Sequence, residues 1–396
     1  MSATPIQRAD ETAASSRSLR MLLSSDPLLF LAAIGLAAFS VVTLHGAGSP
    51  ISVDADKQAL FAGIGLVAAI VISRFDYTVL REFRYVFYAL AVILNVVVFA
   101  MPAIQNAHRW IPVPIFNFQS SEFGKLMLLV SLSAFAVDRS RRLSERRTIA
   151  RVLLLALVPA MIVMKQPDLG TGLVYVVMAA AVLFFMGVSW RHLTALAALV
   201  VVAITLVLAV APIFGVHVLK GYESQRLTTF INPPTVCNTA LDPTCYQEHE
   251  SLIAIGSGEK TGRGAAGATQ TLYHFLPVPQ ADFIFAVIGE TYGFAGAAIV
   301  LSLYALLIWR TLRILTMAKN LFGTLIAGGI LAMLMFQVFL NIGMTIGIMP
   351  VTGVPLPLLS YGGSSVVVTF LALGLLQSIH IQARMASAGK ARVLIV

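Results

Sequence analysis

The sequence predicts an all-α, polytopic membrane protein with about ten transmembrane helices. Both termini are expected to be cytoplasmic, with one large extracytoplasmic loop between spans seven and eight. Three observations carry this reading. Of 396 residues, 58% are hydrophobic and only 11% are charged, about half the charged share of a soluble globular domain, roughly 25%. Mean hydropathy is +0.87, so lipid must cover apolar surface that no soluble fold could hide. The apolar residues also come in continuous runs, where an outer-membrane barrel would alternate them. A soluble enzyme, a collagen-like fibre and a disordered chain are excluded with the barrel. A span takes about 20 residues, so ten spans use about half the chain and leave short loops and one longer one.

The runs fall near 27–46, 58–73, 86–102, 119–137, 152–164, 171–187, 193–214, 283–309, 323–345 and 364–381. Residues 1–25 are polar and read as a cytoplasmic tail; the run at Leu28 leads into a full span, so no cleavable signal is expected. A membrane domain over 26–383 and a cytoplasmic tail over 384–396 follow. The run 152–164 is short, and 171–187 follows it closely, so the pair reads as one kinked hairpin or two short spans. No internal repeat of the kind that marks many transporters is visible.

The net charge of +9 would suit nucleic acid, but the basic residues sit in breaks between runs. The tail carries Arg8, Arg17 and Arg20, and the next break on that side Arg74, Arg81 and Arg84. Then come Arg139, Arg141, Arg142, Arg146, Arg147 and Arg151, next Arg191, next Arg310, Arg313 and Lys319, and finally Arg384, Lys390 and Arg392. Against these, short opposite segments hold only Lys57, Arg109, Lys125 and Lys165. The positive-inside rule therefore places both termini in the cytoplasm and the long loop, 215–281, outside. That loop contains Cys237 and Cys245 beside Pro233, Pro234 and Pro243. A disulfide can persist there, and one between the two is expected; two unpaired thiols are the alternative.

Ionisable residues within or beside apolar runs each cost a few kcal/mol, and they are few: Glu122, Lys125, Asp168, Asp282 and Glu290. The first four fall toward the extracytoplasmic face, and Glu290 lies deeper. Glu122 and Lys125 are helix neighbours at i, i+3, which fits a salt bridge equally well. Asp168 and Asp282 could each cap the following helix, though Asp282 also ends the long loop, where a polar substrate would enter. Trp110 could be an interfacial belt residue. Gly256-Ser-Gly-Glu-Lys-Thr-Gly262 looks like a phosphate loop but lacks the glycine before Lys260. The seven histidines are scattered, no HExxH or CxxC motif occurs, and Ser364-Ser365 has no nearby His/Asp partner in sequence.

Several longer motifs resemble the SEDS family (shape, elongation, division and sporulation), the peptidoglycan polymerases RodA and FtsW. They are Arg109-Trp-Ile111, Phe118-Gln-Ser-Ser-Glu-Phe-Gly-Lys125, Lys165-Gln-Pro-Asp-Leu-Gly-Thr171, Gln225-Arg-Leu-Thr-Thr-Phe230 and Ala254-Ile-Gly-Ser-Gly258. Further on come Ala281-Asp-Phe-Ile-Phe-Ala-Val-Ile-Gly-Glu290, Asn341-Ile-Gly-Met344 and Pro350-Val-Thr-Gly-Val-Pro-Leu-Pro-Leu-Leu-Ser-Tyr-Gly-Gly-Ser-Ser365. Asn-Ile-Gly-Met with Thr-Gly-Val-Pro-Leu-Pro is closer to RodA than to FtsW. Two departures stand out: Ser120 replaces the family's proline, and Thr291 its second glutamate.

The resemblance implies polymerisation of lipid II into glycan strands at the outer leaflet of the bacterial cytoplasmic (inner) membrane, for cell elongation and shape. Asp282 matches the family's essential aspartate and is expected to be the general base for the acceptor hydroxyl. Lys125, Arg226 or a divalent cation (Mg or Mn) would hold the departing pyrophosphate, while Trp110, Glu122 and Asp168 would line the cavity and orient substrate. The implied partners are lipid II, the nascent glycan chain, membrane lipid and a class B penicillin-binding protein transpeptidase, with no role for nucleic acid. The alternatives are a lipid II flippase, an FtsW-like division polymerase and a non-catalytic scaffold for the transpeptidase.

Overall fold

A computed structural model describes residues 25–47, 52–102, 109–112, 117–140, 146–205, 226, 229–230, 243–276 and 278–393. Its helices are α1 (Pro27–Gly46), α2 (Ser52–Arg74), α3 (Arg84–Val97), α4 (Ser120–Asp138), α5 (Arg146–Lys165), α6 (Leu169–Phe185), α7 (Trp190–Thr205), α8 (Pro243–Ser257), α9 (Thr269–Leu272), α10 (Ile284–Met317), α11 (Leu321–Thr345) and α12 (Gly363–Val393). Every apolar run of the sequence falls on a helix over its described residues, the run 193–214 as far as Thr205, and α8 and α9 belong to the long loop. Among the described residues seven helices are long and apolar enough to cross a membrane, with Arg84–Ala100 and Leu169–Phe185 shorter but also apolar. The chain is thus a helical, multi-pass membrane protein.

The stretch 152–164 is the middle of a 20-residue helix that starts at Arg146. Its first turn is basic, which hid it from an apolar count. It packs on α6 as a helix of its own.

Burial grades from centre to rim. Helix α12 is enclosed along most of its length, and α4 and α11 nearly as much, whereas α2, α5 and α10 are mostly open. The exposed side of α2 carries Leu60, Ile64, Val67 and Val71, and that of α3 carries Val86, Leu90, Ile93 and Val97. Such a continuous apolar exterior is compatible with acyl chains and not with water. Helix α12 packs against α2, α3 against α4, α11 against α6, and α1 against α10.

A two-stranded ribbon not expected from the sequence is formed by β1 (Trp110–Pro112) and β2 (Asn117–Gln119), antiparallel, with Trp110 opposite Gln119. It leads straight into α4, whose first residue is Ser120. The missing proline is therefore dispensable for starting this helix, and the Ser120 hydroxyl instead bonds Asn95 Oδ1 at 3.0 Å.

Helix α10 is interrupted at Gly293, whose φ of 62° and ψ of −157° are not helical. The phosphate-loop look-alike fills this break. Phe294 and Ala295 donate their N–H groups to the carbonyls of Glu259 and Lys260, while Arg263 and Gly264 donate to those of Glu290 and Thr291. A Cβ on Gly258 would lie 1.8 Å from the Gly289 carbonyl oxygen, so the close approach needs glycine. Gly258 and Gly262 thus serve backbone docking.

Candidate active site

The ends of α4, α6, α10 and the segment before α12 meet at one end of the bundle, opposite the end where Arg81 and Arg84 pair with Asp138. Asp282 stands at this junction, partly exposed. It does not cap α10: the N-cap is Phe283, with no side-chain cap. Its backbone is fixed instead. Asn341, fully buried on α11, donates to the Asp282 carbonyl at 3.0 Å and to the Val354 carbonyl at 2.8 Å.

The charged neighbours of the Asp282 carboxylate are Arg226, Arg109 and Asp168. Desolvation pushes its pKa above the ordinary 3.8, the two arginines pull it down and Asp168 pushes it up, with a net rise. A Cβ placed on Gly353 would lie 3.5 Å from Asp282 Oδ2 and 3.9 Å from an Arg226 Nη. Carboxylate and guanidinium thus converge over that glycine. A raised carboxylate pKa beside two permanent cations is the electrostatic arrangement of a base next to an anion site.

Asp168 does two things. Its Oδ1 accepts the Thr171 N–H at 3.2 Å, capping α6. Its Oδ2 faces Gln119 Nε2 at 3.4 Å and Ser121 Oγ at 3.5 Å. The capping reading holds, and the residue also belongs to the Asp282 cluster. Arg109 is anchored by a 3.1 Å bond from Nε to the Gln166 carbonyl. The sequence placed it in the Arg109-Trp-Ile111 motif and in an outer segment but gave it no role in the site; its position in that motif was the available signal. Trp110 sits beside it at the start of β1, half-buried.

Glu122 and Lys125 form a buried pair 2.7 Å apart within α4. Each neutralises the other inside the span, as the i, i+3 spacing predicted. Lys125 therefore reaches an anion only by giving up Glu122, whereas Arg226 and Arg109 already face Asp282. Glu290 is buried and accepts from Gln270 N–H at 2.7 Å, Thr271 N–H at 3.0 Å and Thr271 Oγ at 2.7 Å. It ties α9 to α10. Cys245 is disulfide-bonded and buried, and Cys237 lies outside the described residues.

For a divalent cation the fit is poor. Among the described residues no group of three or more His, Cys, Asp or Glu side chains converges, and the two nearby carboxylates, Asp282 and Asp168, share their surroundings with arginines.

A polytopic helical bundle with an Asp–Arg cluster at one end defines the class as a multi-pass integral-membrane protein. Residues 20–385 match the family described as Cell cycle protein, FtsW/RodA/SpoVE, and the chain belongs to that family. It is 37% identical to the peptidoglycan glycosyltransferase MrdB of Escherichia coli K12 over 91% of this chain and 95% of that one. It is 32% identical to the peptidoglycan glycosyltransferase RodA of Treponema pallidum, covering 91% and 99%. Stage V sporulation protein E of Bacillus subtilis is 34% identical, covering 82% and 86%. Among solved structures, a chain of a peptidoglycan synthase complex that coordinates polymerization and crosslinking superposes with a TM-score of 0.76 at 29% identity, covering 91% and 98%. The rod shape determining protein RodA of Thermus thermophilus gives 0.65 at 27% identity, covering 90% and 96%.

Proposed function

We propose that this chain is a peptidoglycan glycosyltransferase that polymerises lipid II at the outer leaflet of the bacterial cytoplasmic membrane, with ten spans and the Asp282 end facing outward. The names of its relatives support the activity. The observation that carries the mechanism is the carboxylate of Asp282, lifted in pKa and facing Arg226 and Arg109. In this reading Asp282 takes the proton of the 4-hydroxyl of the acceptor sugar. The hydroxyl oxygen bonds to the anomeric carbon of the lipid-linked sugar as the bond from that carbon to the phosphate oxygen breaks. The electron pair leaves with the undecaprenyl pyrophosphate, whose charge the two arginines stabilise. Pyrophosphate is already a good leaving group, so one base and fixed cations are sufficient.

Asp168, Gln119 and Trp110 line the same end and suit the orientation of substrate, with Glu122 and Lys125 as the buried support of α4. The chain offers no recognised cross-linking residues, so a class B penicillin-binding protein is the proposed partner, in line with the complex from which the similar structure comes. The test is direct: purified protein is incubated with lipid II and the products are run on a gel. Glycan strands are expected. Lipid translocation in proteoliposomes without any strand formation would replace this reading with a flippase.

A further inference from the structure

Gln58 lies on α2, outside every motif singled out in the sequence, and is completely buried. Its Nε2 donates to the Ser360 carbonyl and to Ser40 Oγ, both at 3.2 Å, and its Oε1 accepts the Gly362 N–H at 3.3 Å. Ser40 Oγ, from α1, donates onward to the Leu359 carbonyl at 2.5 Å. One amide and one hydroxyl thus fix the backbone of residues 359–362 at three points.

That segment in turn grips the chain leading into Asp282. Ser360 Oγ donates to the Ala281 carbonyl at 2.5 Å while accepting the Leu356 N–H at 2.8 Å. The Tyr361 N–H donates to the Gln280 carbonyl at 2.9 Å. With Asn341 on the Asp282 carbonyl, three consecutive carbonyls, 280 to 282, are each held by a donor. Two of those donors belong to the segment that Gln58 anchors.

A buried amide gives little net stability over a well-packed apolar side chain, because its bonds replace bonds to water. What an apolar side chain cannot do is hold a carbonyl and an N–H two residues apart at fixed spacing. We propose that Gln58 is a positioning residue for Asp282: it sets segment 359–362, and through Ser360 and Tyr361 the place of the carboxylate beside Arg226. This rests on the reading of Asp282 as general base.

The test compares full-length wild type, Gln58→Met, Ser360→Ala, the double variant and Asp282→Asn in lipid II polymerisation, with rates normalised to the monodisperse fraction. A small displacement of a catalytic group costs about ten- to a hundredfold, so Gln58→Met is expected to lose that much in kcat. KM for lipid II should stay within about twofold, the split expected when binding is untouched. The acid limb of its pH–rate profile should move, since the distance from Asp282 to Arg226 changes. The double variant should lose less than the product of the two single losses, because part of the Gln58 effect passes through the Ser360 hydroxyl and the rest through Tyr361. Wild-type normalised kcat in Gln58→Met, with Asp282→Asn inactive, overturns the positioning role and leaves the base in place. An active Asp282→Asn overturns both. If Gln58→Met does not purify as a single species, Gln58→Glu is read by the same criteria: it keeps the size and the acceptor for Gly362 but removes the donor to Ser360.

Discussion

Asn341 of α11 holds the main-chain carbonyl of Asp282 with one amide hydrogen and that of Val354 with the other. It joins the end of the long loop to the segment bearing Gly353, the two pieces of chain between which the carboxylate lies. Replacing it by leucine leaves two carbonyls without this donor, at about 1–3 kcal/mol each if no other donor reaches them. Asn341→Leu should therefore melt earlier in detergent and lose glycan synthesis beyond what its folded fraction explains. Unchanged melting with unchanged activity would show that Asp282 is positioned without it.

Asp282→Asn should retain the fold and reduce polymerisation by about 10²–10⁴, the usual contribution of a positioned base. Capping cannot rescue the alternative, because α10 takes no cap from this side chain. Asp242→Asn, in the same loop but outside every motif, should be nearly silent and serves as the control. Near-normal synthesis by Asp282→Asn would move the base elsewhere, with Glu122 and Asp168 next.

The pH dependence has a definite sign. The Asp282 pKa is raised above 3.8 in the folded protein, chiefly by desolvation. Its contribution to stability is thus full below pH 3.8 and lost as pH rises through the higher folded value. At neutral pH the ionised form costs stability, so Asp282→Asn should melt at or above the wild-type temperature while inactive. Activity needs the ionised form, so the acid limb of the rate should lie above pH 3.8. Arg226→Gln removes a pull downward and should move that limb to still higher pH. A limb that moves downward would contradict the assignment.

Glu290 tests the docking of the outer loop. Glu290→Gln keeps one acceptor oxygen but sets an NH₂ group among donors from Gln270 and Thr271, an unsatisfied contact worth about 1–3 kcal/mol. Amide exchange over residues 268–276 should accelerate, with trypsin cutting sooner at Lys260 and Arg263. Unaltered exchange would mean that the helix break alone holds the loop.

Topology is checked by fusion. A reporter after Arg146 should read cytoplasmic and one at Asp242 external. Both on one side would discard the ten-span arrangement.

The helices were legible because lipid demands uninterrupted apolar runs, and the acidic cluster because charges at a span edge are rare. The Glu122–Lys125 pair and the Asp168 cap followed from spacing within one helix. What escaped depended on partners distant in sequence. Arg310 read as a loop cation ending span eight, yet α10 continues to Met317 and buries Arg310 against Asp26, 284 residues away. Arg109 joined Asp282 only once the fold closed. Gln58 gave no signal, since two of its partners are backbone atoms that any residue types could have supplied and the third, Ser40, lies on another helix. The ribbon at Trp110 has three-residue strands, too short for alternation to register.

The break at Gly293 has a consequence for how a bulky lipid could enter. Residues 258–264 complete the peptide pairing of α10 across its gap, so lifting that stretch would strand N–H and C=O groups where a bilayer offers them nothing. This part of the loop therefore behaves as an inlay of the helix, and it moves only when α10 moves. A doorway for substrate has to open on another flank, where helices slide past one another without breaking such pairs.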